Sequence, residues 1–179
     1  MLFTFINLIL ISSTIFGFAS IKNRIFQYNS KIRNEDHIFG VILISILALI
    51  GNFILPLKIF TPLIFIIGLI LFSINLIKKK YELDFLKFLI ILFLFCFFTH
   101  NNPLNYDSPF YHLQIIKWSS EYKISFGLVN LEQRYAMPSI WHQFLSFFNY
   151  TVFYFNPVYL ISLVLFSLIF NQALGEKNY

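Results

Sequence analysis

The chain has 179 residues, of which 58% are hydrophobic and 12% are charged, and its mean hydropathy is +0.74. Soluble domains average about 45–50% apolar and about 25% charged residues, so this composition excludes an ordinary soluble protein and indicates a membrane protein. The net charge of +5 does not indicate a nucleic-acid binder, because the basic residues lie in short gaps between apolar runs and not on one soluble face.

The first apolar run covers residues 2–19 and predicts a transmembrane helix. No basic residue precedes it, whereas Lys22 and Arg24 follow it, so it lacks the charge order of a cleaved signal peptide. Cytoplasmic loops of membrane proteins are enriched in Lys and Arg. We therefore expect this helix to begin outside the cytoplasm and to end inside it.

Later apolar runs predict further spans, most of them close to the ~20 residues that cross a bilayer core. Two basic gaps, residues 21–37 and 78–87, are separated by two spans, so both should face the cytoplasm and residues 100–137 should lie outside. Beyond residue 138, either two short spans fit the sequence, or one amphipathic surface helix and one span. We expect six spans, with five as the alternative: residues 2–19, 38–55, 60–77, 85–99, 138–155 and 157–173.

The predicted fold class is therefore all-α, a polytopic bundle of transmembrane helices that forms a single domain over residues 1–179. Only helices and closed barrels satisfy the backbone in lipid, and the runs lack the alternation of barrel strands. The single cysteine, Cys96, excludes an intrachain disulfide, and no Cys/His spacing indicates a zinc site. No cofactor is identified, and nothing in the sequence requires a divalent metal.

The outward loop of residues 100–137 contains a second kind of helical pattern, between residues 109 and 123. Its apolar positions are Tyr111, Ile115, Trp118 and Tyr122, widened by Phe110, Leu113 and Ile116, and its polar positions are Gln114, Lys117 and Glu121. A helix of this length would measure about 22 Å. An amphipathic helix with Trp and Tyr on its apolar side is typical of the membrane interface, so we expect this one to lie there.

Several side chains of this region are candidates for chemistry. Asp107 precedes the predicted helix, where it either caps the helix or serves as an active-site acid. His112 follows five residues later. Arg134 lies just outside a predicted span, where it either binds a phosphate or anchors the chain at the interface. His142 lies in the next apolar run, where a buried histidine needs a partner, and this makes it a functional candidate.

The segments YDSPFYHLQIIKWSSEY, GLVNLEQR and PSIW are similar, in this order, to a family of bacterial polytopic membrane proteins. That family in turn resembles the GT-C superfamily of membrane glycosyltransferases. Those enzymes take a sugar from a polyprenyl-phosphate carrier, and they keep an essential acid in the first large outward loop, ahead of a helix that lies on the membrane. They often have a second acid beside the first, whereas Asp107 stands between Tyr106 and Ser108.

The resemblance implies a glycosyltransferase of the bacterial cytoplasmic membrane that acts on a polyprenyl-phosphate-linked sugar at the outer face. It implies that Asp107 is the catalytic base. The residues expected to bind substrate are His112, Lys117, Asn130 and Arg134. GT-C enzymes have many more than six spans, so we expect the chain to be the N-terminal portion of a larger protein, or to need another membrane subunit. The alternative is a non-catalytic, transport or assembly protein of cell-surface polysaccharide biogenesis.

Overall fold

The structure, a computed structural model, describes residues 2–27, 31–81, 85–99, 112–124, 126–127, 130, 133, 139–149 and 157–175. These ranges contain helices and turns but no β-strand, and the only bridge described in them pairs Ile32 with Tyr81. The helices are α1 (Leu2–Ala19), α2 (Ile21–Ile25), α3 (His37–Ile54), α4 (Leu57–Ile77), α5 (Phe85–Thr99), α6 (Leu113–Glu121), α7 (Ile140–Phe147) and α8 (Pro157–Gly175), with a 3-10 turn at Asn34–Asp36. The predicted all-α class is confirmed.

Three segments are long and apolar enough to cross a membrane: Leu2–Ile25, His37–Ile54 and Leu57–Ile77. The shortest of them has 18 residues, which at 1.5 Å per residue gives about 27 Å, near the ~30 Å thickness of the hydrocarbon core. The predicted gap between α3 and α4 is too long, because α4 begins at Leu57 and only Leu55 and Pro56 connect the two helices. The proline forces Leu55 into an extended conformation, and this ends α3.

The apolar runs after α4 form shorter or separate helices. The 15 residues of α5 and the 19 of α8 agree closely with the predicted spans 85–99 and 157–173. In contrast, α7 has 8 residues and is followed by a turn at Phe148 and Asn149. A helix of this length measures about 12 Å, so the described residues of the predicted span 138–155 do not form one crossing helix. The residues of α7 from His142 onward are buried, so this helix also differs from the amphipathic surface helix of the five-span alternative.

The first helix, α1, is the centre of the bundle. It packs against α3, α4, α5 and α8, and its residues from Ile11 to Ala19 are all buried. Two of its buried hydroxyl groups are satisfied within the helix: Ser12 Oγ donates to the carbonyl of Leu8 at 2.7 Å, and Thr14 Oγ1 donates to that of Leu10 at 2.9 Å. Small and self-satisfied polar residues let neighbouring helices approach closely in an apolar medium, where no hydrophobic force drives them together.

Two glycine contacts fix the direction of the helices around α1. A Cβ atom at Gly17 would overlap the carbonyl oxygen of Gly68 in α4, and one at Gly40 in α3 would overlap the carbonyl oxygen of Ile15. The end of α1 therefore lies beside the last part of α4 and the start of α3. It follows that α4 runs parallel to α1 and that α3 runs antiparallel to it.

The two basic gaps of the sequence meet at one end of this bundle, which we call the basic end. The backbone N–H of Ile32 donates to the carbonyl of Lys80 at 2.7 Å, and Lys22 forms an ion pair with the buried Asp36. Tyr81 donates to the carbonyl of Phe16 at 3.4 Å, and burial raises the pKa of its hydroxyl above the ordinary value. Both basic gaps therefore lie on the same side of the bundle, as the alternation of spans predicts.

The close approach of α1 and α4 predicts a difference between two glycine substitutions. Gly17→Ala places a methyl group against the backbone of α4, which cannot move aside without separating the helices. Gly51→Ala meets only the tip of the Phe60 ring, which can rotate away. Since both changes gain the same helix propensity, we expect Gly17→Ala to be less stable than Gly51→Ala by about 1–3 kcal/mol.

Thermal unfolding of the full chain in detergent measures this difference. Equal stability of the two variants would contradict the close packing of α1 on α4.

Candidate functional site

The candidate site lies at the end of the bundle opposite to the basic end, where α6 is fastened to the last turn of α3. The amide of Asn52, two residues before the end of α3, has no exposed surface. Its Nδ2 donates to the carbonyls of Ser119 and Tyr122 at 2.8 and 2.9 Å. The backbone N–H of Ile124 donates in return to the carbonyl of Asn52 at 3.0 Å. One buried side chain thus fixes the end of α6 and the residues that follow it.

The buried face of α6 consists of two isoleucine and two serine side chains. Its buried residues are Ile115, Ile116, Ser119 and Ser120, whereas Lys117 is exposed and Trp118 is half-buried. Tyr122, which the sequence places on the apolar stripe, is 58% exposed. The predicted helix, which extended to residue 123, is too long, because the helix ends at Glu121 and Tyr122 follows it in an extended conformation. Residues 109–111 of the predicted helix lie outside the described residues.

The serines of α6 face a buried polar surface on α7. Gln143 Nε2 donates to Ser119 Oγ at 3.2 Å, and Asn149 Nδ2 donates to Ser120 Oγ at 3.1 Å. Ser120 Oγ donates in turn to the carbonyl of Ser146 at 3.3 Å. Every residue of α7 from His142 onward is buried. The two short helices are therefore joined by hydrogen bonds between side chains that lie away from water, where such bonds are costly to break.

At the start of the two helices, two histidines meet across 30 residues of sequence. His112 Nδ1 and His142 Nε2 are 2.8 Å apart. His142 is 6% exposed, and the N-terminal end of α7 surrounds its other nitrogen: the backbone N–H of Ser139 lies 3.2 Å from His142 Nδ1 and Ser139 Oγ lies 2.9 Å from it. The same Ser139 hydroxyl accepts from the backbone N–H of His142, which completes a capping box. Burial, reinforced by repulsion from His112, lowers the pKa of His142.

The predicted site residues have different positions in this arrangement. His112 is half-buried and contacts His142. Lys117 is exposed, and because it follows His112 by five residues, it lies about 140° away from it around the helix axis. Asn130 is exposed, and its backbone N–H donates to the carbonyl of Gly127 at 3.0 Å. No described contact joins Lys117 or Asn130 to the histidines. The predicted catalytic Asp107 and the phosphate-binding Arg134 lie outside the described residues.

Several residues of the site were not predicted to contribute to it. They are Ser119, Ser120, Ser139 and Gln143. The sequence contains one signal for Ser139: it precedes His142 by three residues, which is the spacing of an N-cap residue and the third residue of a helix. Asn52, a polar residue within the predicted span 38–55, was not predicted to contribute either.

The full length of the chain, residues 1–179, matches the family described as Domain of unknown function (DUF8201), so the chain belongs to this family. No curated protein and no solved structure matches the chain.

The role of Asn52 predicts a selective effect of its replacement. Asn52→Leu removes two donors from the carbonyls of Ser119 and Tyr122, and we expect this to destabilise the attachment of α6 by about 1–3 kcal/mol. Asn75→Leu is the matched control, because the Asn75 amide donates only within its own helix, to the carbonyl of Leu71 at 2.7 Å.

Hydrogen–deuterium exchange of residues 112–124 measures the effect. We expect exchange about tenfold faster in Asn52→Leu and unchanged in Asn75→Leu, since 1.4 kcal/mol corresponds to a factor of about ten. Equal exchange in both variants would show that Asn52 does not hold α6.

Proposed function

We propose that the chain is a multi-pass protein of the bacterial cytoplasmic membrane that acts in sugar transfer from a polyprenyl-phosphate carrier, as a GT-C-like glycosyltransferase or the N-terminal portion of one. The single observation that carries this proposal is the polar site of α6 and α7 at the end of the bundle away from the basic residues. A polar, hydrogen-bonded site at one end of an apolar bundle suits a substrate that has a lipid tail and a polar head group.

The distribution of charge supports the orientation of this site. The basic end carries Lys22, Arg24, Lys31, Arg33, Lys78, Lys79 and Lys80, and such clusters face the cytoplasm in most membrane proteins. The start of α1 and the α6–α7 site lie at the other end and would then face outward. Sugars carried on polyprenyl phosphates are used at that face of the membrane, so the orientation and the proposed substrate agree.

The exposed aromatic residues support a position of α6 in the membrane interface. Tyr122 and Phe126 are 58% and 83% exposed, Trp118 is half-buried, and Lys117 is exposed beside them. Aromatic and basic side chains together are typical of the level of the lipid head groups. A helix at that level can present its polar surface to a head group whose tail stays in the bilayer.

The proposed chemistry divides the roles among the predicted residues. The carboxylate of Asp107 accepts the proton of the acceptor hydroxyl as that oxygen attacks the anomeric carbon of the sugar. As the bond from the acceptor oxygen to the anomeric carbon forms, the bond from that carbon to the carrier phosphate breaks. The phosphate leaves, and the sugar is transferred to the acceptor with inverted configuration. The negative charge that develops on the phosphate needs donors, and the candidates are His112, Lys117, Asn130 and Arg134. Of these, His112 has the most fixed position in the described residues, because it is bonded to a buried partner.

The role of Asp107 predicts the effect of an isosteric substitution. Asp107→Asn keeps the shape of the side chain but removes the base, so we expect sugar transfer to fall by about 10²–10⁴-fold. Glu121→Gln is the matched control, since it neutralises another acid of the same region, at the end of α6, and should leave transfer unchanged.

Transfer is measured in membranes from cells that make the whole native protein, with radiolabelled polyprenyl-phosphate sugars as donors. Equal transfer by Asp107→Asn and the wild type would refute the proposed role of Asp107. Normal transfer combined with defective export of surface polysaccharide would instead favour a transport or assembly protein.

A further inference from the structure

We propose that the basic end is a binding surface for anionic phospholipids, with Lys78, Lys79 and Lys80 at its centre. The partner is a lipid whose head group has a negative phosphate and no cation of its own, as in phosphatidylglycerol. Positive charge at this end also fits its expected orientation, but orientation alone does not require the charges to be held together. The inference does not depend on sugar transfer, because it concerns the end of the bundle away from the α6–α7 site.

The backbone holds the two basic gaps against each other. The N–H of Ile32 donates to the carbonyl of Lys80 at 2.7 Å, and Ile32 forms a parallel bridge with Tyr81. Ile32 is buried, and the centroid of the Tyr81 ring lies 5.2 Å from that of Phe72. Successive side chains of a bridged segment point to opposite sides, so Arg33 and Lys80 project away from the bundle, and both are exposed. The bridge is therefore anchored on its buried side and basic on its outer side.

The end of α4 presents three lysines in succession. Lys79 has a left-handed φ of 50°. Its backbone N–H donates to the carbonyl of Leu76, and that of Lys80 donates to the carbonyl of Asn75, both at 3.0 Å. These bonds form a Schellman motif, in which glycine usually occupies the left-handed position and a residue with a Cβ atom costs free energy. Since backbone N–H groups already satisfy these carbonyls, the lysine ammonium groups are not needed to cap the helix.

Acidic side chains neutralise only part of this surface. The two basic gaps, with Lys87 included, contain eight basic and four acidic residues. Both acids that the structure describes there have a basic partner: Glu35 pairs with Arg33, and Asp36 pairs with Lys22. In the same described part of the chain, no ion pair involves the three lysines at the end of α4, which are all exposed. Neighbouring positive charges repel each other, and an anionic partner relieves this repulsion.

Apolar side chains place these charges at the level of lipid head groups. The 21 residues of α4 extend about 31 Å, close to the ~30 Å of the hydrocarbon core, and the lysines follow directly. Ile77, the last residue of α4, is 81% exposed, and Ile25 of α2 is 58% exposed. A soluble anion would leave these side chains in water, whereas a phospholipid covers them with its acyl chains and brings a phosphate to the lysines. This combination favours a lipid as the partner.

The number of charges favours an anionic lipid over a zwitterionic one. A phosphatidylcholine head group contains its own cation, which competes with the lysines for the phosphate, whereas phosphatidylglycerol has none. Clusters of 4–8 Lys and Arg residues next to a transmembrane helix typically attract anionic lipids, and each charge contributes. Because exposed charges are screened by salt, the preference for the anionic lipid should fall as the ionic strength rises.

Native mass spectrometry of the full chain tests this preference. The protein is released from nonionic detergent micelles that contain equal amounts of phosphatidylglycerol and phosphatidylcholine. We expect the wild type to retain phosphatidylglycerol about tenfold more often, and less so as the ammonium acetate concentration is raised. Replacement of Lys78, Lys79 and Lys80 together by Gln should abolish the preference, whereas their replacement by Arg, which keeps the charge, should preserve it.

Two controls locate the site and identify its ligand. Lys58 is exposed in the first turn of α4, at the opposite end of the same helix. We expect Lys80→Gln to reduce the preference and Lys58→Gln, with the same change of charge, to leave it unchanged. Glycerol phosphate, which has a phosphate but no acyl chains, should not displace phosphatidylglycerol at the same concentration. Circular dichroism checks that each variant keeps its helices.

Several results would overturn the inference. They are equal retention of the two lipids by the wild type, an undiminished preference after the three lysines are replaced by Gln, and equal losses in Lys58→Gln and Lys80→Gln. Displacement of the lipid by glycerol phosphate would show a site for soluble phosphates instead. None of these measurements involves sugar transfer, so their outcome is independent of the experiment on Asp107.

Discussion

The organisation of the end of this protein opposite to the basic end depends on one buried amide. Asn52 lies in the last turn of an apolar helix, and its two hydrogen bonds to the carbonyls of Ser119 and Tyr122 hold a segment that comes almost 70 residues later. In an apolar surrounding, an unpaired amide N–H costs free energy, so the fold favours the arrangement in which both N–H groups of Asn52 Nδ2 have acceptors. Because α6 is fixed there, its serines face α7, and the start of each helix brings one histidine to the other.

The remainder of the bundle provides a scaffold with two different ends. The glycine contacts of α1 with α3 and α4 allow three helices to pack at short distance without large side chains between them. The basic gaps are tied together at one end by the Ile32 and Lys80 backbone hydrogen bond and by the ion pair of Lys22 with Asp36. The helix α8 contacts both α7 and the turn at Asn34–Asp36, so it extends from one end to the other.

The sequence was sufficient for the features that depend on hydropathy and charge. The helices α1, α3 and α5 begin and end within a residue or two of the predicted positions, because apolar length is a strong signal in a membrane protein. The position of both basic gaps on one side of the bundle could be predicted because two spans separate them. The start of α4 was misplaced, since the charged Lys58 suggested a connection where the structure has the first turn of a helix.

The site itself could be predicted only in part, for a physical reason. Periodicity measures where apolar residues lie, so it extended the helix through Tyr122 and overlooked Ser119 and Ser120, which are buried with hydrogen-bond partners in α7 and in the turn after it. His112 and His142 were each recognised as candidates, but their contact joins residues 30 positions apart, and no local pattern encodes it. The short length of α7 depends likewise on its packing between α3 and α6.

The central claim is that the α6–α7 site faces away from the cytoplasm, and cysteine labelling tests it most directly. In a Cys96→Ser background, the exposed Lys117 of α6 and the exposed Lys78 of the basic end are replaced in turn by cysteine and treated in intact cells with a membrane-impermeant maleimide. The account predicts that Lys117→Cys is labelled directly and that Lys78→Cys is labelled only after the cytoplasmic membrane is permeabilised. Labelling in the reverse order would place the site in the cytoplasm and contradict the account.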